Sequence, residues 1–226
     1  MVLEMAGKTD PGLFRAGVGR AVITPPVGFV IDGPEHGSRI STGILDDLLA
    51  RDIVLESKGT RVVLIGLDVW GLSSSVLSSV KLAASTAASV EPESVWVTTT
   101  GNGSSPPLWR EDPQYAAYSA YFPEQVSGAV RIAVTSLEPA SMGSTGTLLA
   151  DVSTFTAGPG RPGNAALFVM AVNRADGSGI ARLINFACPA TIFGNSTQWT
   201  ADYPGYAAWA IEQNGGGLTL FSQAPS

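Results

Sequence analysis

The stretch that most limits what this chain can fold into runs from residue 61 to residue 100. It opens with "RVVLIGLD", a nearly continuous apolar run of the kind that fills a strand buried on both faces. Ser73, Ser74 and Ser75 come next and offer an N-cap. Val76, Leu77, Val80, Ala83, Ala84 and Ala87 then recur on one side of a helix. "ESVWVTTT" supplies the next strand. Strand, helix, strand at this spacing requires a crossover connection, and such crossovers join parallel strands with a right-handed sense. The fold class is therefore α/β: a mixed central β-sheet flanked by helices.

The remaining segments fit around that unit. Residues 14–21 alternate as a strand and stop at Pro25-Pro26, and residues 27–43, rich in Gly and Ser, read as a long surface loop. Residues 50–56 form a strand that turns at 57–60 into the 61–68 run. Residues 114–137 read as a long helix, with Pro123 at a kink or at the start of its second part. Further strands are expected at 141–149 and on both sides of the Asp176-Gly177-Ser178-Gly179 turn. A helix over 201–214 stops at Gly215, and "LTLFSQ" makes a last strand. Residues 157–164, "AGPGRPGN", read as a mobile loop, and residues 1–15 as a flexible N-terminus to one domain.

Composition excludes several function classes. The chain has 226 residues, is 45% hydrophobic and carries a net charge of −6 with 13 Lys plus Arg. No basic cluster stands out, which argues against a nucleic-acid partner. No apolar run approaches the roughly 20 residues of a membrane span. Cys188 has no second cysteine to pair with, and it reads as a small buried apolar residue. The chain reads as soluble and cytoplasmic, or as secreted if a leader has been removed. Its glycine-rich stretches match neither a dinucleotide nor a phosphate-loop pattern.

The candidate site is the apex "TTTGNGSSP", residues 98–106, at the end of the third strand. Ser104 is the candidate nucleophile, with His36 as base and Asp202 as orienting acid, because a serine hydroxyl needs an imidazole to accept its proton. A Ser-rich turn and a solvated loop histidine account for the same residues without chemistry. Asp46, Asp68, Asn102, Ser105 and Tyr203 are candidate substrate contacts around that rim. Asp68 lies at a strand's C-terminal end, where open α/β sheets bind ligands, or else partners a helix cap. Asp202 opens a helix, where the dipole favours an acid. Asp46, Asp68 and Asp202 could also hold a hard cation.

Six stretches in order resemble the neutral/alkaline non-lysosomal ceramidases and their bacterial relatives. They are "AGVGRAVITPPVG", "TGILDDLLARDIVLE", "LIGLDVWGLS", "VWVTTTGNGSSP", "LINFACPATIFG" and "ADYPGYA". The resemblance spans the chain from about residue 16 and corresponds to the first part of that family's catalytic domain. It implies an amidohydrolase fold that cleaves the N-acyl amide bond of a lipid at a zinc ion. It also implies that zinc is held by histidines in motifs of the form "THTHSGP" and "NFACHPT". Here the first motif reads "TGNGSSP", so Gly101 and Gly103 stand in the histidine places. The second reads "NFACPAT", with Pro189 in the ligand place, and Leu45 precedes Asp46 where relatives often carry His-Asp. The family's nucleophile stretch would fall near residues 221–226, which do not match it.

Zinc takes three or four N, S or O donors, and glycine and proline side chains offer none. No family-type zinc site, and so no cofactor, is expected. The leading reading is a ceramidase-related hydrolase cleaving an acyl amide, ester or lactone bond of a small lipid-like substrate without zinc. The alternative is a catalytically degenerate scaffold that binds a ligand or pairs with another subunit. A homo-oligomer is expected, because a sheet edge or apolar face left bare needs cover.

Overall fold

The computed structural model describes residues 3–5, 14–33, 37–149 and 166–224; His36 and the 157–164 loop lie outside them. The strands in chain order are β1 (Leu3–Met5), β2 (Phe14–Val22), β3 (Val30–Gly33), β4 (Gly37–Ile40), β5 (Gly43–Ile44), β6 (Leu49–Ser57) and β7 (Thr60–Leu67). Then come β8 (Val95–Thr99), β9 (Glu138–Pro139), β10 (Ser141–Leu148), β11 (Ala166–Asn173), β12 (Gly179–Phe186), β13 (Gln198–Trp199) and β14 (Leu218–Gln223). The helices are α1 (Ser74–Ala88), α2 (Ala116–Thr135) and α3 (Asp202–Gln213).

The expected β7–α1–β8 unit is present. Ser73 caps α1, its hydroxyl accepting from the Val76 amide, and β8 lies parallel to β7 with Gly66 opposite Thr98. Several features differ from the sequence reading. The strands divide into two five-stranded sheets, ordered β8-β7-β6-β2-β9 and β1-β10-β11-β12-β14. Residues 30–33 and 37–40, expected as loop, form the antiparallel strands β3 and β4 with Val30 opposite Ile40. α2 runs unbroken through Pro123. β1 pairs with β10, so part of the N-terminus expected to be flexible belongs to a sheet.

Alternation along the strands sorts the core into layers. Ala50 and Val54 of β6, with Val63, Ile65 and Leu67 of β7, pack beneath Val80 and Ala84 of α1 and Phe122, Val126 and Val130 of α2. The opposite face of the same sheet presents Ile53, which packs with Ala16, Val172, Ala181 and Leu220 between the two sheets. α3 lays Tyr203 and Ile211 against Ile184, Phe186 and Phe221. β12 and β14 are parallel, so the chain from β12 through α3 to β14 is a second crossover. Thr98 and Ser222 share a hydroxyl hydrogen bond of 2.8 Å, which brings the carboxyl ends of β8 and β14 together. That convergence positions the candidate site.

α2 approaches β2 so closely that only glycine fits. A Cβ on Gly19 would lie 2.0 Å from the Ala129 carbonyl oxygen, and one on Gly17 2.0 Å from that of Ala133. Gly19→Ala therefore lowers stability by about 1–3 kcal/mol, the usual cost of overpacking, read as a fall in the urea midpoint.

Asp52 lies on the helix-facing side of β6 between Gly19 and Ile65, fully buried. Neither carboxylate oxygen has a hydrogen-bond partner among the described residues. Burial holds its carboxyl well above the ordinary carboxylate range. The folded chain thus grips this proton more tightly than the unfolded chain does. The resulting stability is complete below the ordinary carboxyl pKa and is lost as pH rises toward the folded value. Wild-type stability falls with rising pH across that window by up to about 1.4 kcal/mol per pH unit. Asp52→Asn flattens the slope, measured by urea unfolding at pH 5 and pH 8. Asp68, whose carboxyl burial also pushes up, contributes to the slope that remains.

Candidate active-site corner

β8 ends at Thr99 and the chain turns at Gly101, whose φ of +65° is natural for glycine. Asn102, fully buried, ties this turn to its surroundings. Its side-chain amide donates to the Asp68 carbonyl at 3.2 Å and to the Thr200 carbonyl at 2.7 Å, and its Oδ1 accepts from the Ser104 amide at 2.9 Å. One side chain thus joins the end of β7, the entry to α3 and the apex itself. Asn102 also pairs with Ala190 in an isolated parallel bridge, and the Gly103 amide donates to the Ala190 carbonyl at 3.0 Å. Two of the six stretches that carry the resemblance, around 101–105 and 186–191, therefore meet in space.

The candidate residues fall into separate bonded pairs. Ser104 is fully buried and its hydroxyl donates to the Phe193 carbonyl at 3.2 Å. The Phe193 amide donates to Asp202 Oδ2 at 2.8 Å, and the Tyr203 amide to Oδ1 at 2.6 Å. Ser104 and Asp202 are thus held by the same residue, while His36 lies outside the described residues. Asp202 has φ +56°, a left-handed conformation costly for a residue other than glycine. The two amides on its carboxylate hold it there. The Ser105 hydroxyl donates to the Asn102 carbonyl at 2.7 Å and accepts from the Trp70 amide at 2.9 Å. The Tyr203 hydroxyl donates to the Cys188 carbonyl at 2.5 Å, and burial raises its pKa. Cys188 is partly buried, with its thiol 3.8 Å from the Pro189 carbonyl.

Asp68 is neither a rim carboxylate nor a cap. It is buried, accepting from Arg51 Nη1 at 2.6 Å and from the Leu49 amide at 3.0 Å. Desolvation outweighs the arginine and leaves its carboxyl above the ordinary range. Asp46 accepts from the Thr200 hydroxyl and the Ala201 amide, both at 2.6 Å, and so fastens the entry to α3. The sequence reading passed over Arg51 and Gln223. The signal for Arg51 was present: Arg51-Asp52 interrupts an otherwise apolar strand.

The residues here do not fit a zinc ion. Gly101, Gly103 and Pro189 bring no donor, and the Gln223 amide occupies the space beside Gly101. A Cβ on Gly101 would lie 1.5 Å from Gln223 Oε1. Among the described residues no three His, Cys, Asp or Glu side chains are grouped to hold a metal. Asp46 and Asp202 each accept protein donors on both carboxylate oxygens, and Asp68 accepts two on Oδ2. No helix among the described residues is long and apolar enough to cross a membrane.

No family profile matches the chain, and no characterised protein matches it in sequence. Solved structures do match. The neutral ceramidase from Pseudomonas aeruginosa superposes with a TM-score of 0.77 at 18% identity, over 93% of this chain and 38% of that one. A structure described as a ceramidase complexed with C2 matches at 0.76 and 18% identity, over 93% of this chain and 37% of that one. The chain thus spans well under half the length of the proteins it resembles. At this level of identity the likeness is one of chain path, and the chain has a neutral-ceramidase-like α/β fold.

Proposed function

We propose that this chain is a ceramidase-type scaffold that binds a small ligand without cleaving it, its apex serving as a structural joint. The observation that carries this reading is the closure of the corner. Asn102, Ser104 and Ser105 are fully buried, and each hydroxyl or amide is spent on the main chain. Gln223 fills the space a side chain at 101 would need. A nucleophile must reach its substrate and a metal must reach its donors; this packing supports neither.

A second reading keeps hydrolysis of an acyl amide, ester or lactone of a lipid-like substrate. Ser104 would attack, His36 would take its proton and Asp202 would orient the imidazole. One observation favours it: Ser104 and Asp202 are bonded to the same residue, Phe193. It requires the Ser104 hydroxyl to leave the Phe193 carbonyl.

The readings part in two measurements. The chain, incubated with N-acyl amides and acyl lactones with and without added zinc, shows no turnover above buffer and retains no stoichiometric metal after desalting. Turnover that disappears in Ser104→Ala would instead establish the hydrolase, and one zinc per chain would overturn the argument from donors.

The joint itself is testable through stability. Asn102→Ala leaves the Thr200 carbonyl, the Asp68 carbonyl and the Ser104 amide unpaired. At roughly 1–3 kcal/mol for a buried group left without its partner, it destabilises the fold by at least about 2 kcal/mol in urea unfolding. Ser104→Ala, which removes one hydrogen bond, costs about 1 kcal/mol.

A further inference from the structure

A second concavity lies away from the apex, between the ends of β2 and β6 and the exposed face of α3. Its volume is about 370 Å³, and it is lined by residues outside the 101–105 turn. Tyr206 and Trp209 project from α3 with 71% and 52% of their surface exposed, their ring centroids 5.4 Å apart at an interplanar angle of 39°. Tyr206 turns most of its surface, and Trp209 about half, to solvent. Together they form an apolar shelf of two tilted rings on the cleft wall.

The other wall is built from charge. Arg20 and Arg51 are cross-strand partners on β2 and β6, like charges facing one another. Glu212 from α3 sits between them, 3.7 Å from Arg20 and 3.8 Å from Arg51 Nε. Asp68 holds the far side of Arg51 at 2.6 Å. The Arg51 side chain is only 8% exposed, yet its Nε has no hydrogen-bond partner among the described residues. That N–H is closed to solvent and faces the Glu212 carboxylate, so the guanidinium open to the cleft is that of Arg20, whose side chain is 63% exposed. Asp46 and Asp47 line the same cleft from the loop before β6.

These features select one chemistry. A cationic ligand would meet Arg20 and Arg51, and an anionic one would meet Asp46, Asp47 and Glu212. A neutral ring bearing hydroxyls satisfies both, because each hydroxyl donates to a carboxylate and accepts from a guanidinium. Its C–H face stacks on the Tyr206–Trp209 shelf. We propose that this cleft binds a neutral saccharide or polyol ring, stacked on Trp209 with a hydroxyl accepting from Arg20. This deepens the binding reading above and rests on it for its biological meaning, while the cleft itself is independent of the apex.

The test uses the whole chain with glucose, galactose, N-acetylglucosamine and maltose as probes, and octanoate and choline as charged comparators. Binding is read by saturation-transfer NMR and by tryptophan fluorescence titration. At least one saccharide binds, and the ring C–H protons receive the transferred magnetisation. Trp209→Ala weakens binding by about tenfold, one lost stacking contact, and Arg20→Ala weakens it too. Arg20 is exposed and its variant keeps the wild-type Tm; Trp209 is half-buried, so Trp209→Phe, which keeps a ring, serves as its control and retains binding better than Trp209→Ala. Binding of no saccharide, saccharide binding unchanged in both alanine variants, or a preference for octanoate or choline each overturns the proposal. The two readings fail separately. Turnover of an N-acyl amide alongside saccharide binding sinks the binding-only reading and leaves the cleft. Absence of both turnover and saccharide binding sinks the cleft and leaves that reading.

Discussion

The side chain of Asn102 fixes the apex to the end of β7 and to the entry of α3. Its amide bonds to carbonyls at the end of β7 and before α3, and its oxygen is held by the Ser104 amide. The two amide bonds join segments far apart in sequence. Both crossovers deliver their strands' carboxyl ends to this place, where backbone groups have run out of ladder partners. Buried backbone groups must be paired, and an asparagine, with two donors and one acceptor facing opposite ways, pairs three at once. An aspartate here would lose both donors, and a leucine all three bonds.

The second organising interaction is electrostatic. Burying Asp68 costs more than Arg51 returns, and the carboxyl's raised pKa records this imbalance. Asp52, one residue along β6 from Arg51, is buried with no hydrogen-bond partner among the described residues. Charges in the middle of a central strand weaken a fold that an apolar pair would strengthen. Arg51 lines the cleft against α3, whereas Asp52 faces the helices. Strand alternation decides which of these neighbouring side chains faces the cleft.

Much of the architecture was legible because it is written locally. The apolar run of β7, the serine cap of α1 and the turn at Asp176-Gly177 each specify their element within a few residues. The β3–β4 pair was missed because its glycines and short strands look like loop. It forms by packing: the Asp32 amide bonds to the Ser105 carbonyl, and Gly33 backs onto Gly103. The division into two sheets was likewise invisible, since alternation shows that a strand has two faces and not what lies across them. At the site, the sequence singled out Asn102, Ser104, Ser105 and Asp202 by position. It could not show that their polar atoms would be consumed by carbonyls and amides of distant segments.

The glycines at 101 and 103 carry a physical consequence that the resemblance alone does not. Side chains cannot be removed from a converging set of strand ends without something taking the volume, because interiors pack to near-crystalline density and voids forfeit contacts on every wall. At 101 the occupant is Gln223, contributed by β14, whose strand is set by the second crossover and by the Thr98–Ser222 bond. Nearby, a Cβ on Gly33 would lie 2.8 Å from the Gly103 carbonyl oxygen, so β3 and the apex backbone touch. A side chain at 101 would therefore demand movement of Gln223 at the end of β14. A closed corner of this kind is a stable alternative packing, and that is why an open cleft elsewhere on the scaffold, against α3, is the better place to look for a ligand.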